Sequence, residues 1–371
     1  MTHCIIVGCD LHMKTMVLKY AVGRGAIQSR TFANDRPARR AMVDWLNQMR
    51  IHTIEDRLLF AYEASSEGFG LYDELRAAGI ECYVLAPTRI ARSPKHARSK
   101  NDGRDAVQLL ELLRAHVLAG NALPTVWVPD LQTRDDRELI RMRLDVADKR
   151  IVTKNQIKSL LKRSEVRRPA LTGKGWTNLY RVWLDDLACG RVEGLGRGGR
   201  SALSSLLRQM EAIEAEIDLL NEQICVLSAS PRYAAPVRHL RTIKGVATLS
   251  AMVFLAELGD LSRFSNRRQL AAYIGLVPTS NETGERHDCK GHITRQGSSR
   301  IRKVLCKSTW CLIRTDERFS KAYAALVRRN PKHRKIAVVA IMRRLAIIMW
   351  HRARRAGPPA DNRERPPCMA A

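Results

Sequence analysis

The chain has 371 residues, 45% of them hydrophobic, which is enough for two or three cored domains and excludes a disordered protein. Its 64 Lys and Arg face 37 Asp and Glu, a formal net charge of +27 that points to a polyanion: nucleic acid first, an anionic membrane surface second. There is no apolar run near the ~18 residues of a spanning helix, no basic n-region or cleavage site at the start, and no Cys-x-x-Cys spacing among nine scattered Cys, so membrane spans, a signal peptide, a zinc signature and a disulfide framework are set aside and the reducing cytoplasm is expected.

His3 to Val7 is a short apolar run closed by Gly8, with Cys9 and Asp10 following. Thr15–Val22 is β-rich, and a Gly23-Arg-Gly25 turn leads to a third candidate strand from Ala26 to Phe32. Short Gly turns between such runs indicate an antiparallel meander. Ala38 to Met49 has helical spacing, Leu58–Glu63 is a buried strand ending in a carboxylate, Gly68 to Ala78 is helical, Glu81 to Ala86 is a strand stopped by Pro87, and a helix runs from about Gly103 to Leu118. The first 125 residues thus read β-β-β-α-β-α-β-α, a mixed sheet covered by helices.

Chemistry gathers around Ser99-Lys-Asn-Asp-Gly-Arg-Asp105. Asp102 and Asp105, three apart at a helix start, share a face and are favoured there by the helix dipole. Lys100 and Arg104 flank them as candidate nucleic-acid contacts. Asp10 is expected just past the first strand and Glu63 at the end of the fourth, where open α/β sheets carry their sites. If those strands are neighbours, the two acids converge and the helix of Asp102 and Asp105 completes the set. Four carboxylates together need cations to stay ionised, which suggests a two-Mg²⁺ site for in-line phosphoryl chemistry.

Pro129 to Leu161 and Leu203 to Leu227 carry helical apolar stripes that predict an antiparallel hairpin or coiled coil over 126–235. Between them, 166–201 reads as a loop-rich insertion, whose Trp176, Tyr180 and Trp183 would suit stacking on single-stranded nucleic acid, or else a plain turn and linker. From 236 to 356 a mostly α region begins with a helix-hairpin-helix-like turn at Ile243-Lys-Gly-Val-Ala-Thr248, where Lys244 stands near a phosphate-binding helix start. Basic loops before a helix near 299–314 add Arg286, Arg295, Arg300, Arg302 and Lys303 as candidate phosphate contacts. Residues 357–371, rich in Pro and charge, are expected to be a disordered tail.

Two blocks carry a family resemblance. The order Asp10, Glu63, Asp102, Asp105 on this frame resembles the ribonuclease-H-like domain of Holliday-junction resolvases, and Lys-Asn-Asp-Gly-Arg-Asp-Ala is similar to the matching segment of DEDD transposases of the insertion-sequence-110 family. Arg-Gln-Leu-Ala-Ala-Tyr-Ile-Gly-Leu-Val-Pro278, a Gly-bearing loop and Gly-His-Ile-Thr-Arg-Gln-Gly297 resemble that family's C-terminal transposase domain. The resemblance implies a DNA transposase or recombinase with Mg²⁺ on Asp10, Glu63, Asp102 and Asp105. It also implies double-stranded DNA at element ends and target, a structured guide RNA, and a homodimer or homotetramer. A loop Ser in the family is the nucleophile that attaches to DNA; here Thr283 holds that position, with Ser280 as the nearby alternative. The competing readings are a junction nuclease that uses only the carboxylates and a catalytically dead nucleic-acid-binding copy.

Overall fold

The computed structural model describes residues 4–53, 57–90, 102–280 and 290–356, with backbone alone at 52–53, 102–103, 280 and 290. Lys100, Thr283, Arg286 and the 357–371 tail lie outside these residues. Two compact units divide the chain, Met1–Val128 and Pro129–Ala371.

The first unit holds a five-stranded sheet in the order β3-β2-β1-β4-β5. Its strands are β1 (Ile5–Leu11), β2 (Thr15–Val22), β3 (Gln28–Ala33), β4 (Leu58–Glu63) and β5 (Glu81–Leu85). β1, β2 and β3 pair antiparallel, whereas β1–β4 and β4–β5 are parallel. This is the mixed sheet expected of a ribonuclease-H-like domain, with α1 (Arg36–Thr53), α2 (Gly70–Ala77) and α3 (Asp102–Ala119) between or after the strands. One correction concerns β1, which does not stop at Val7. Gly8 and Cys9 stay paired with β2 and β4, so Asp10 lies inside the strand, opposite Val17.

Alternation assigns the faces. Ile5, Val7 and Cys9 of β1 and Leu58, Phe60 and Tyr62 of β4 pack with Met42 and Leu46 of α1 and Leu71 and Leu75 of α2. Ile6 of β1 and Leu59 and Ala61 of β4 pack with Leu109, Leu110 and Leu113 of α3. Each face is closed by helices, and burial of these side chains at ~25 cal/mol per Å² supplies the main stabilisation.

The second unit is helical apart from one hairpin. α4 (Leu131–Arg163) and α6 (Arg197–Ser228) run antiparallel: Ile140 and Leu144 share a cluster with Ile224, Val146 shares one with Ile217 and Leu220, and Ile157 and Leu160 share one with Leu203 and Met210. The 166–201 insertion is less loop-like than its Gly content suggests, because α5 (Asn178–Cys189) occupies its centre, capped by the Thr177 hydroxyl and ended by Gly190 in the left-handed region. Tyr180 is buried and stacks on Trp183, 5.7 Å between centroids, while Trp176 meets Tyr180 edge-on. Tyr180 thus belongs to the core of the arm, and Trp176 and Trp183 pack half-buried against it.

α7 (Ala234–Arg241), α8 (Thr248–Leu258), α9 (Arg267–Ile274), β6 (Pro278–Ser280), β7 (Lys290–Ile293), α10 (Ser299–Thr315), α11 (Glu317–Arg329) and α12 (Arg334–Arg355) complete the unit. The all-buried run of α8 lies at the centre of a cluster that also takes in Ile140 and Leu144 of α4 and Ile224 of α6. The base of the hairpin therefore shares one core with the C-terminal helices, although the sequence reading divided them near residue 235.

Candidate active site

Gly8 decides how α3 meets the sheet. A Cβ there would lie 2.3 Å from the Ala106 carbonyl oxygen and 2.5 Å from the Leu110 nitrogen. Any side chain would hold the helix off; glycine lets its backbone rest on β1. Asp10, two residues on, projects to the same face as Gly8. Glu63 continues the Leu59–Ala61 row of β4 and pairs with Leu85 of β5, itself on the α3 face. Cys9 pairs with Tyr62 in the parallel β1–β4 register, so Asp10 and Glu63 come one step later on adjacent strands. Asp105 adjoins Ala106, the residue that touches Gly8, and is partly exposed. Asp102 opens α3 one turn before Ala106. The helix N-terminus, with its favourable field for carboxylates, belongs to the same face as Asp10 and Glu63.

Around Asp10 the sheet edge is tied down. His12 Nε2 lies 3.2 Å from Asp10 Oδ2. Asn34 Nδ2 donates to the His12 carbonyl at 2.6 Å, Arg39 Nε donates to Asn34 Oδ1 at 2.7 Å, and Arg39 pairs with Glu74 at 3.2 Å. This chain fixes the β1–β2 turn that follows Asp10. Burial pushes the neighbouring Cys9 thiol far up, and the Asp10 charge adds to that, so Cys9 stays protonated and is not a nucleophile. Among the described residues, no group of three or more His, Cys, Asp and Glu side chains is gathered as a metal cage. Asp10 and Glu63 put carboxylates on the α3 face, and carboxylate oxygen is a donor that suits Mg²⁺. The sequence reading missed Gly8, although a glycine inside an apolar strand is the usual mark of close backbone approach.

In the second unit, Ser280 ends β6 and pairs with Lys290 of β7. Gly275 and Gly297 hold the base of this hairpin: φ is +75° and +78°, and a Cβ would meet Gln296 oxygen at 2.2 Å or Tyr273 oxygen at 1.9 Å. Arg302 donates to the carbonyls of Ile274, Gln296 and Gly297 at 3.0–3.2 Å, bracing the same junction. Arg300 meets both Asp145 oxygens at 3.0 Å, and Lys303 pairs with Asp148. Lys244 donates to the Thr315 carbonyl at 3.2 Å. Arg104 and Arg295 are exposed, the latter at φ +54°. Exposed ion pairs are worth about 0–1 kcal/mol, so a phosphate can take Arg300 and Lys303 from their partners. The turn glycine of the expected helix-hairpin-helix, Gly245, faces α10, where a Cβ would meet Ser308 oxygen at 2.7 Å.

Comparison with known proteins agrees with both halves of the chain. A transposase model of the DEDD IS110 kind matches residues 7–165, and the model described as transposase IS116/IS110/IS902 family matches residues 237–324. A Sinorhizobium fredii protein with a provisional transposase name is 31% identical over 328 residues, covering 81% of this chain and 76% of that protein. The chain belongs to the IS110 family of DEDD transposases. The transposase for insertion sequence element IS1533 of Leptospira borgpetersenii, 24% identical, covers 95% of this IS110-family chain and 97% of its own length. A solved structure of Thermus thermophilus RuvC aligns with 32% of this chain and 99% of its own, at 13% identity and a TM-score of 0.24. Among the described residues of this transposase, no helix is long and apolar enough to cross a membrane.

Proposed function

We propose that this transposase cleaves and exchanges DNA strands with divalent cations held by Asp10, Glu63, Asp102 and Asp105. The observation that carries the reading is the adjacency of Asp10 and Glu63 on parallel β1 and β4, beneath the helix that begins at Asp102. Bound Mg²⁺, one ion or two, would supply charge for a phosphodiester in in-line displacement. The chain's own residues hold the site open and oriented: Gly8 sets the height of α3, and the Asn34–Arg39 chain fixes the turn after Asp10.

The attacking hydroxyl is assigned to Thr283, which falls in the sequence between β6 and β7, with Ser280 at the end of β6 the alternative, from the family resemblance. A Thr hydroxyl is a competent nucleophile. Its methyl group crowds the approach to phosphorus, so a slow enzyme is expected. Phosphate contacts fall to Lys100, Arg104, Lys244, Arg286, Arg295, Arg300, Arg302 and Lys303, with a +27 chain supplying the field. Arg302 also braces the hairpin base, which ties its role to the placement of that loop. The substrate is double-stranded DNA at element ends and target, selected by a structured guide RNA and worked on by a homodimer or homotetramer. Element excision in cells, read by PCR across the resealed junction, tests the proposal. Glu63→Gln and Asp102→Asn should each abolish the junction, and an undiminished product from either variant overturns the assignment.

A further inference from the structure

Charge is sorted along the α4–α6 arm. From residue 149 to 210, its far end, there are 14 basic and four acidic residues; the base, 131–148 with 211–228, has four basic and ten acidic. The last fifteen residues of α4, 149–163, hold six basic residues and no acidic one. Arg150, Lys154, Lys158 and Lys162 recur every fourth position and so form one ridge of the helix. At 1.5 Å per residue this ridge is about 18 Å long. Lys158 and Lys162 are exposed, and Lys154 lies 4.8 Å from the centre of the Trp176 ring. Burial lowers the Lys154 ammonium, and the neighbouring Arg150 charge lowers it further against the opposing pull of Glu214. Beside the ridge an open groove between α4 and α6 has an apolar floor of Leu160, Ala202 and Leu206, and Gln156, Ser159, Arg163, Ser205 and Gln209 add hydrogen-bond donors to its lining.

We infer that the far end of this arm is a docking surface for the sugar–phosphate backbone of duplex DNA, built without any of the four carboxylates. A rigid ridge of cations about 18 Å long spans about five base pairs of a straight duplex, which carries one negative charge per ~1.7 Å. Binding single strands instead calls for free aromatic faces, and of the arm's three clustered rings Tyr180 is buried while the half-buried Trp176 and Trp183 are both engaged with it. With no base-reading geometry, the surface is indifferent to sequence. It rests on the chain being a DNA transposase and on nothing about the carboxylates.

The test is fluorescence anisotropy of a labelled 30-base-pair duplex with the full chain in EDTA, so that no cleavage occurs and failure of the carboxylate assignment leaves the result untouched. The double variant Lys158→Gln, Lys162→Gln is compared with Arg328→Gln, Arg329→Gln, which removes the same charge from α11. Glutamine keeps helical propensity at these exposed positions, and thermal melts check that both variants are folded. The expected result, relative to the α11 variant, is about a tenfold loss of affinity near 150 mM salt and a log K against log salt slope shallower by about 2, alike for duplexes of unrelated sequence. An unchanged slope overturns the inference. So does a larger loss on an RNA duplex than on DNA. A changed oligomeric state with an unchanged slope would assign the ridge to a second copy of the chain and also overturn it.

Discussion

Gly8 and Ala106 meet backbone to backbone, so that a Cβ on Gly8 would stand 2.3 Å from the Ala106 carbonyl oxygen. That contact sets the separation of β1 and α3, and with it the spacing between Asp10 on the strand and Asp105 on the helix. Gly8→Ala must displace α3 because the obstacle is main chain with no rotamer to change. Overpacking of this kind costs about 1–3 kcal/mol, and excision should fall much further than stability. Gly198→Ala is the matched control: nothing lies within 4 Å of its added methyl group and it sits in α6, so it should gain about 0.4–1 kcal/mol by restricting the unfolded chain. Chemical denaturation of both variants should give opposite signs.

The carboxylates make a second prediction, about cations. Asp10 and Glu63 are neighbours in the β1–β4 register, and their mutual repulsion is relieved when a divalent ion binds. Mg²⁺ should therefore raise the melting temperature of the wild-type chain by mass action. Asp10→Asn or Glu63→Gln should weaken Mg²⁺ binding in calorimetry, remove most of the Mg²⁺-dependent shift in melting temperature, and abolish excision. A full shift in either variant would take that residue out of the metal site.

How much of this was legible follows from where information is local. Leu58–Glu63 was readable to the residue, because an apolar run with one terminal acid has few other fates in a sheet. The meander and the helices on both faces followed from turn glycines and period. Asp10 inside β1 was not readable: Gly8 looks like a stop signal, and only the packing of α3 against it makes glycine a requirement of the strand. The insertion misled for a similar reason. Its glycines, three of them at positive φ, surround a twelve-residue helix whose aromatic residues are held by α4 and α6, a tertiary fact. The basic ridge of α4 was in plain view, but periodicity drew attention to the apolar stripe on the same helix and away from the cations.

Glu257 makes a pH prediction. It is 5% exposed and accepts from Arg141 Nε at 2.8 Å, while Arg137 donates to the Ala256 and Glu257 carbonyls. Burial pushes its carboxyl up, but the hydrogen bond and charge of Arg141, with Arg137 and Ser298, outweigh that and leave it below the usual range. The unfolded carboxyl titrates near ~4.3. The stabilisation is thus complete above that pH and is lost as pH falls through the lower folded value. Glu257→Gln should cost about 3 kcal/mol at neutral pH, the low end for breaking a buried pair, because Arg141 keeps some contact with solvent. Below about pH 4 its stability should decline less steeply than that of the wild type. Denaturant midpoints between pH 3 and 7 measure both effects.

The nucleophile gives the sharpest chemical contrast. If Thr283 attacks phosphorus, Thr283→Ala should abolish excision and the covalent protein–DNA adduct together, whereas Thr283→Ser should keep both and run faster, since it loses the crowding methyl and keeps the hydroxyl. Ser280→Ala should be near wild type: Ser280 ends β6 in register with Lys290, a place in the hairpin ladder and not beyond it. A denaturing gel with labelled element ends reads the adduct directly. Loss of the adduct in Ser280→Ala but not in Thr283→Ala would reverse the assignment. Excision without any adduct in the wild type would transfer the attack to water, which is the behaviour of a junction nuclease that relies on its carboxylates alone.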